Sequence, residues 1–171
     1  MKPTFGQRLD TVTRNSLPVL LTLLLVLLNV IPLHIPGLSR VMPVLPLMAV
    51  YHWAIYRPQL MPPLAVFLIG ACYDVLSGTP LGVNALVFLI VYGVVVFQQR
   101  FFVGKSFVVV WLGFGLMALG ASVVSWILVS ILAVAVVEPK AVFFQFILNF
   151  SFFPLLAWLF LYFQNAYLKL E

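Results

Sequence analysis

The chain has 171 residues, of which 64% are hydrophobic and 8% are charged, and its formal net charge is +5. A water-soluble domain carries about 25% charged and about 45–50% apolar residues, so this composition excludes a soluble globule and predicts an all-α integral membrane protein. The length suits a single transmembrane domain over residues 1–171. The Lys and Arg residues are scattered rather than clustered, which argues against a nucleic-acid partner.

Hydropathy predicts a compact bundle of about six transmembrane helices, since about 20 helical residues cross a hydrocarbon core. The first follows a basic N-terminus but precedes no small-residue cleavage site, so we expect an uncleaved helix rather than a removed signal peptide. The fifth segment contains no proline, charge or turn cluster, which favours one long helix over two. The predicted spans are about 17–33, 41–56, 62–77, 81–98, 107–137 and 142–164.

The basic residues predict the orientation, because cytoplasmic segments of membrane proteins are enriched in Lys and Arg. With six spans and a cytoplasmic N-terminus, Arg40 and Lys140 are the two basic residues on the outer side. Seven spans would fit the charges equally well, but they require a turn inside 107–137. Both termini are therefore expected in the cytoplasm. The basic residues assigned to that side are Lys2, Arg8, Arg14, Arg57, Arg100, Lys105 and Lys169.

Asp74 is the one formally charged residue between Arg57 and Arg100, and it lies in the last turn of the third predicted span. A carboxylate is disfavoured at a helix C-terminus by the helix dipole. At mid-bilayer it costs about 2.5–3.5 kcal/mol on insertion scales, so a compensating partner is required. Two partners fit the topology: backbone N–H groups at the start of the fourth span, from Leu81 to Asn84, or the Arg40 side chain. An acid at this depth suggests a functional site, and a purely stabilising role in the hairpin is the alternative.

The turn after Asp74 has the residues of a tight helix hairpin. Gly78 suits the left-handed position that ends the third helix. Thr79 is expected to cap the fourth helix, and Pro80 to lie in its first turn.

Other polar residues fall in the outer halves of the predicted spans. Together they predict an outward-facing pocket or a groove for a partner protein. The alternative is a set of separate interhelical hydrogen bonds, worth roughly 0.6 kcal/mol each. The predicted outer-half cluster consists of Asn29, Arg40, Asn84, Gln145 and Asn149.

Small residues recur at helical spacing along the fifth span and give it a smooth packing face. Such a face packs either against helices of the same protein or against a partner helix. Its members are Gly115, Ala118, Ser122 and Ser125.

The residue types that carry catalysis do not come together in the sequence. His34 and His52 have no Cys, Glu or second Asp at metal-ligand spacing. Ser77 and Ser151 have no apparent His partner, and a single intramembrane acid cannot form a carboxylate pair. Nucleotide-binding motifs are also missing. We therefore expect no enzyme activity, no metal and no cofactor.

The run GACYDVLSGTPLGVNALVFLIVYGVVVFQQRFF resembles the signature of the rod shape-determining protein MreD family, and the preceding PVLPLMAVYHWAIYRP also matches it. In that family a glycine precedes an aspartate, a short Ser/Gly turn and a Leu-Gly pair that opens an apolar helix. The motif positions here are Gly70, Asp74, Ser77, Gly78, Leu81, Gly82 and Tyr92.

The resemblance implies a multi-pass protein of the bacterial inner membrane that acts as a non-catalytic scaffold of the rod complex, or elongasome. Members bind MreC, a single-pass protein, and through it associate with the MreB filament and the elongation peptidoglycan synthase. They support lateral peptidoglycan synthesis and rod cell shape. The family fold is similar to the six-helix substrate-binding subunits of energy-coupling-factor transporters. A solute-binding subunit of a vitamin-type transporter is therefore the alternative function, although nearly absent outer loops leave little to form a lid.

Overall fold

The computed structural model describes residues 5–31, 42–132 and 138–167, with side chains for 16–31, 42–132 and 138–165. Within these ranges the chain is helical and contains no strand. A 3-10 turn, Pro58–Leu60, joins the second and third helices. The helices are α1 Phe5–Val30, α2 Leu45–Tyr56, α3 Pro63–Ser77, α4 Val83–Phe97, α5 Gln99–Phe102, α6 Phe107–Leu132 and α7 Pro139–Tyr167.

Six of these helices overlap the six segments predicted from hydropathy, but several ends differ. Helix α1 begins at Phe5 instead of near residue 17, because polar residues continue a helix without raising hydropathy. Helix α7 is likewise longer at both ends, and the short helix α5 was not predicted. Helix α6 is continuous to Leu132, while residues 133–137 of the predicted fifth span lie outside the described residues.

Helix α2 lies at the centre of the bundle and contacts α1, α4 and α7. Proline sets both of its ends. Pro46 occupies the first turn, where a missing N–H costs nothing, whereas Pro43 lies before the helix. Pro58 follows Arg57 and excludes further helix. Every residue from Pro46 to Ile55 is buried, as expected for a helix that is apolar all round.

An aromatic cluster ties α2 to the longest helices. The Tyr51 ring meets Phe114 of α6 and Phe153 of α7 edge-on, with centroid distances of 5.3 and 5.6 Å. Phe114 and Phe153 stack on each other at 4.2 Å. The Tyr51 hydroxyl donates a hydrogen bond of 2.9 Å to the Val110 carbonyl, so its polar atom is satisfied inside the core.

Helices α6 and α7 are long and apolar enough to cross a membrane, judged by length and composition. Their qualifying segments, Phe107–Leu132 and Pro139–Asn165, have mean hydropathies of 2.3 and 1.9. Large apolar side chains are also exposed along α1, for example Leu20, Leu24 and Leu27. Exposed apolar surface of this extent suits lipid rather than water as the solvent.

Candidate functional site

Helices α3 and α4 approach each other closely at Gly70. A Cβ atom there would lie 2.7 Å from the Ala85 nitrogen and 2.9 Å from the Asn84 carbonyl carbon. These are backbone atoms and cannot rotate away, so glycine is required at this position. Asp74 lies one turn further along the same face of α3. The contact at Gly70 therefore brings the Asp74 side chain against the start of α4.

The buried Asp74 carboxylate accepts hydrogen bonds from five donor groups, and we call this arrangement the Asp74 hub. The Thr79 hydroxyl donates at 2.7 Å and the Asn84 side-chain amide at 2.8 Å, both to Oδ1. The backbone N–H groups of Gly82 and Ala85 donate to Oδ2 at 2.9 and 3.3 Å. The Asn84 backbone N–H donates to both oxygens, at 3.0 and 3.2 Å.

The hub places a negative charge at the N-terminus of α4, where the helix dipole and the unpaired N–H groups both favour an anion. This arrangement corresponds to the first of the two partners considered for Asp74. The backbone donors Gly82 and Asn84 lie within the stretch expected, Leu81 to Asn84, and Ala85 lies one residue beyond it. Arg40, the second partner, lies outside the described residues.

The turn between α3 and α4 contains two left-handed glycines, Gly78 at φ 72° and Gly82 at φ 99°. Gly78 takes the C-terminal position predicted for it. The prediction that Thr79 caps α4 and that Pro80 lies in its first turn was wrong, because α4 begins at Val83 with Gly82 at the N-cap. Thr79 instead turns back to Asp74. Sequence patterns did not reveal this role, since a Thr before a Pro is typical of a helix start.

A second set of polar contacts surrounds residues 42–44, the non-helical segment before α2, and we call it the amide clamp. The Asn29 amide donates to the Pro43 carbonyl at 2.8 Å. The Gln145 amide donates to the Met42 carbonyl at 3.3 Å. The Asn149 side-chain oxygen accepts from the Val44 N–H at 2.7 Å. Backbone groups outside a helix need such partners in an apolar environment.

The predicted outer-half cluster therefore falls into two groups with different partners. Asn84 belongs to the Asp74 hub, whereas Asn29, Gln145 and Asn149 form the amide clamp. Arg40 is not among the described residues. The two groups nevertheless share a cavity of about 190 Å³, which Thr79 and Asn84 line on one side and Gln145 and Asn149 on another.

The small-residue face of α6 also falls into two parts with different surroundings. Gly115 and Ala118 are buried, and a Cβ atom on Gly115 would come within 2.7 Å of the Phe150 ring of α7. Ser122 and Ser125 instead line the cavity. One half of the face therefore packs within the protein, and the other half borders open space.

The α3–α4 hairpin carries most of the motif residues on which the resemblance to a known family rests. A family model described as rod shape-determining protein MreD matches residues 10–166. The chain belongs to the MreD family. No curated protein and no solved structure matches it. The resemblance inferred from the motif is thus confirmed, and the match extends over all seven helices.

Membership of the MreD family makes rod shape determination the general role of this chain, and the two long apolar helices agree with a membrane location. MreD proteins are structural, shape-determining proteins. Among the described residues no three His, Cys, Asp or Glu side chains come together as a metal-binding group would require. His52 is buried against the rings of Trp53, Tyr56 and Phe160.

Proposed function

We propose that this MreD family member is a non-catalytic scaffold of the bacterial rod complex in the inner membrane. It binds an MreC-like single-pass protein and, through it, associates with the MreB filament and the elongation peptidoglycan synthase. Its contribution to lateral peptidoglycan synthesis and rod cell shape would then be to hold the partner in place. Family membership supports the role in rod shape, and the partners are part of the proposal.

The observation that carries this proposal is that buried polar groups form hydrogen bonds with other parts of the same protein. The Asp74 carboxylate has its hydrogen-bonding capacity taken up by α4 and the turn. Three side-chain amides hold the backbone before α2. Groups bound in this way stiffen the bundle and leave its outward surface to apolar side chains. A stiff apolar helix bundle suits recognition of another transmembrane helix by close packing.

The proposed topology has six spans with both termini in the cytoplasm, in a fold similar to the substrate-binding subunits of energy-coupling-factor transporters. It predicts that the α3–α4 turn faces the outside and the α5–α6 turn the cytoplasm. Single cysteines can test this in a Cys72→Ser background, because Cys72 is the one cysteine of the chain. In intact spheroplasts a membrane-impermeant maleimide should label Thr79→Cys and spare Gly104→Cys. The reverse pattern would contradict the orientation.

The alternative function, a solute-binding subunit of a vitamin-type transporter, receives less support. The cavity measures about 190 Å³, whereas pockets for small molecules usually measure about 300–1,000 Å³. A vitamin-sized solute would therefore need a substantial opening of the helices.

Co-purification tests the scaffold proposal directly. The tagged full-length chain is isolated from native membranes in mild detergent, and the bound proteins are identified by mass spectrometry. We expect an MreC-like single-pass protein to be recovered, and depletion of the chain to round the cells. Recovery of an ATPase together with a bound solute, with rods unchanged on depletion, would contradict the proposal and favour transport.

A further inference from the structure

The cavity beside the Asp74 hub adjoins an apolar groove between α4 and α6. Val87 and Ala121 line both, so the two spaces are adjoining. The groove measures about 180 Å³. Along α4 it extends from Val87 to Val94, which is about 10 Å at the rise of an α-helix.

The two spaces differ in chemistry. The cavity has hydroxyl and amide side chains among apolar ones such as Leu47, Phe88 and Val129; its hydroxyl and amide residues include Thr79, Asn84, Ser122, Ser125, Gln145 and Asn149. The groove is bordered by aliphatic residues, a methionine and a glycine, and no hydroxyl, amide or charged side chain is among its described lining residues. A cavity with several hydrogen-bonding side chains beside a wholly apolar groove matches the two parts of an amphiphile.

We propose that this cavity and groove together bind one uncharged glycerolipid of the diacylglycerol class. The glycerol hydroxyl and the ester carbonyls occupy the cavity, where Ser122 and Ser125, whose hydroxyls take no part in the hub or the clamp, supply donors and acceptors. The part of one acyl chain next to its ester lies in the α4–α6 groove, and the rest of that chain and the other chain remain in the bilayer. The site goes beyond the scaffold function, because it would exist whether or not a protein partner is bound.

The charges in and around the cavity favour a lipid with an uncharged headgroup. The described residues that line the cavity include no Lys, Arg, Asp or Glu, so an ionic headgroup finds no counter-charge among them. Thr79 and Asn84 border the cavity and also donate to Asp74, which places a negative charge behind that wall. An anionic phosphate in the cavity would be repelled by this charge at short range.

Gly120 offers a way to close the groove without disturbing the protein. It lines the groove, and a Cβ atom added there has no other heavy atom within 4 Å. Gly93 on α4 is the matched control: it too is a helical glycine whose added Cβ atom would meet nothing within 4 Å. Gly120→Leu should fill the groove, whereas Gly93→Leu places the same side chain outside it.

The probe is a diacylglycerol that carries a photoactivatable diazirine in one acyl chain, incorporated into proteoliposomes of phosphatidylethanolamine and phosphatidylglycerol. We expect saturable labelling of α4 and α6 peptides, competed by unlabelled diacylglycerol. Gly120→Leu should lower this labelling about tenfold, which corresponds to about 1.4 kcal/mol of binding free energy, and Gly93→Leu should leave it unchanged. Both variants must elute as monodisperse protein, so that misfolding is not read as lost binding.

Three outcomes of the labelling experiment overturn the proposal. The first is equal labelling of the two glycine variants. The second is labelling that does not saturate and spreads over all exposed helices, which indicates bulk lipid alone. The third is stronger labelling by a diazirine phosphatidylglycerol, which shows that a charged headgroup is preferred. As an independent check, a Met117→p-benzoyl-phenylalanine variant should form a lipid adduct on irradiation in membranes, and an adduct with a protein partner at this site would also overturn the proposal.

Discussion

The Asp74 hub and the amide clamp border one cavity but are assembled from different parts of the chain. Every donor to Asp74 comes from residues 79–85, within eleven positions of the acid. In the clamp, Gln145 and Asn149 reach Met42 and Val44 across 103 and 105 positions. One region is thus a local hairpin, and the other fastens the last helix to the second.

The difference reflects two physical problems. In the hub a charged side chain is buried and needs donors, and the nearest unpaired N–H groups are those at the start of the next helix. In the clamp a partly buried stretch of backbone lacks helical hydrogen bonds and needs side chains as partners. A short turn is enough to bring donors to the acid. The backbone before α2 finds its side-chain partners only when distant helices pack together.

Removal of the acid should have the largest effect. Asp74→Ala leaves the donors of Thr79, Gly82, Asn84 and Ala85 without their acceptor. Unsatisfied buried donors cost about 1–3 kcal/mol each, so we expect a loss of at least about 3 kcal/mol in the free energy of unfolding. A denaturant titration in detergent micelles measures it. Asp74→Asn, which keeps one acceptor oxygen but not the charge, should lose about half as much. No loss in Asp74→Asn would show that the charge is irrelevant.

Gly70→Val tests the close approach on which the hub depends. Its side chain would collide with backbone atoms of Asn84 and Ala85, so we expect a loss of about 2–3 kcal/mol in the free energy of unfolding. Gly93→Val is the matched control, since an added Cβ atom there meets nothing within 4 Å. Equal stability of the two variants in the same titration would mean that α3 and α4 are not in contact at Gly70.

The clamp should be less sensitive than the hub. Asn149→Ala removes the acceptor of one buried N–H, that of Val44, and should lower the free energy of unfolding by about 1–2 kcal/mol. Because Gln145 holds the same segment, the double variant with Gln145→Ala should deviate from additivity by about 0.5 kcal/mol or more. Strict additivity in the double-mutant cycle would indicate that the two amides act independently.

Asn29→Ala should have the smallest effect of the four. Asn29 is partly exposed, and its amide makes a hydrogen bond to the Pro43 carbonyl, which is worth roughly 0.6 kcal/mol for polar contacts between membrane helices. Its midpoint in the same titration should lie close to that of the unmodified chain. A loss as large as that of Asn149→Ala would place Asn29 at the centre of the clamp.

The sequence was sufficient for the local features and insufficient for the distant ones. Hydropathy located six of the helices that the structure describes, and the glycine after Ser77 predicted the left-handed end of α3. The helix ends were less predictable, because polar residues extend α1 and α7 without a hydropathy signal. Thr79 was assigned to the wrong helix end, since its contact with Asp74 depends on how far the turn extends before α4.

Separate hydrogen bonds were one alternative that the sequence offered for the residues of the amide clamp, but it did not predict their partner. Asn29, Gln145 and Asn149 were expected at one end of the bundle, but their shared partner is backbone, and backbone leaves no residue pattern. Only the packed positions of α1, α2 and α7 show that these amides meet residues 42–44. Polar residues that look like a partner site can therefore be internal supports of an irregular segment.

Backbone amide exchange measures both regions in a single experiment. In Asp74→Ala, exchange of the Gly82, Asn84 and Ala85 amides should rise at least about tenfold, while that of Val44 stays unchanged. In Asn149→Ala, exchange of the Val44 amide should rise, and exchange of the α4 amides should stay unchanged. Unchanged exchange at the start of α4 in Asp74→Ala would contradict the central claim that this helix start holds the buried acid.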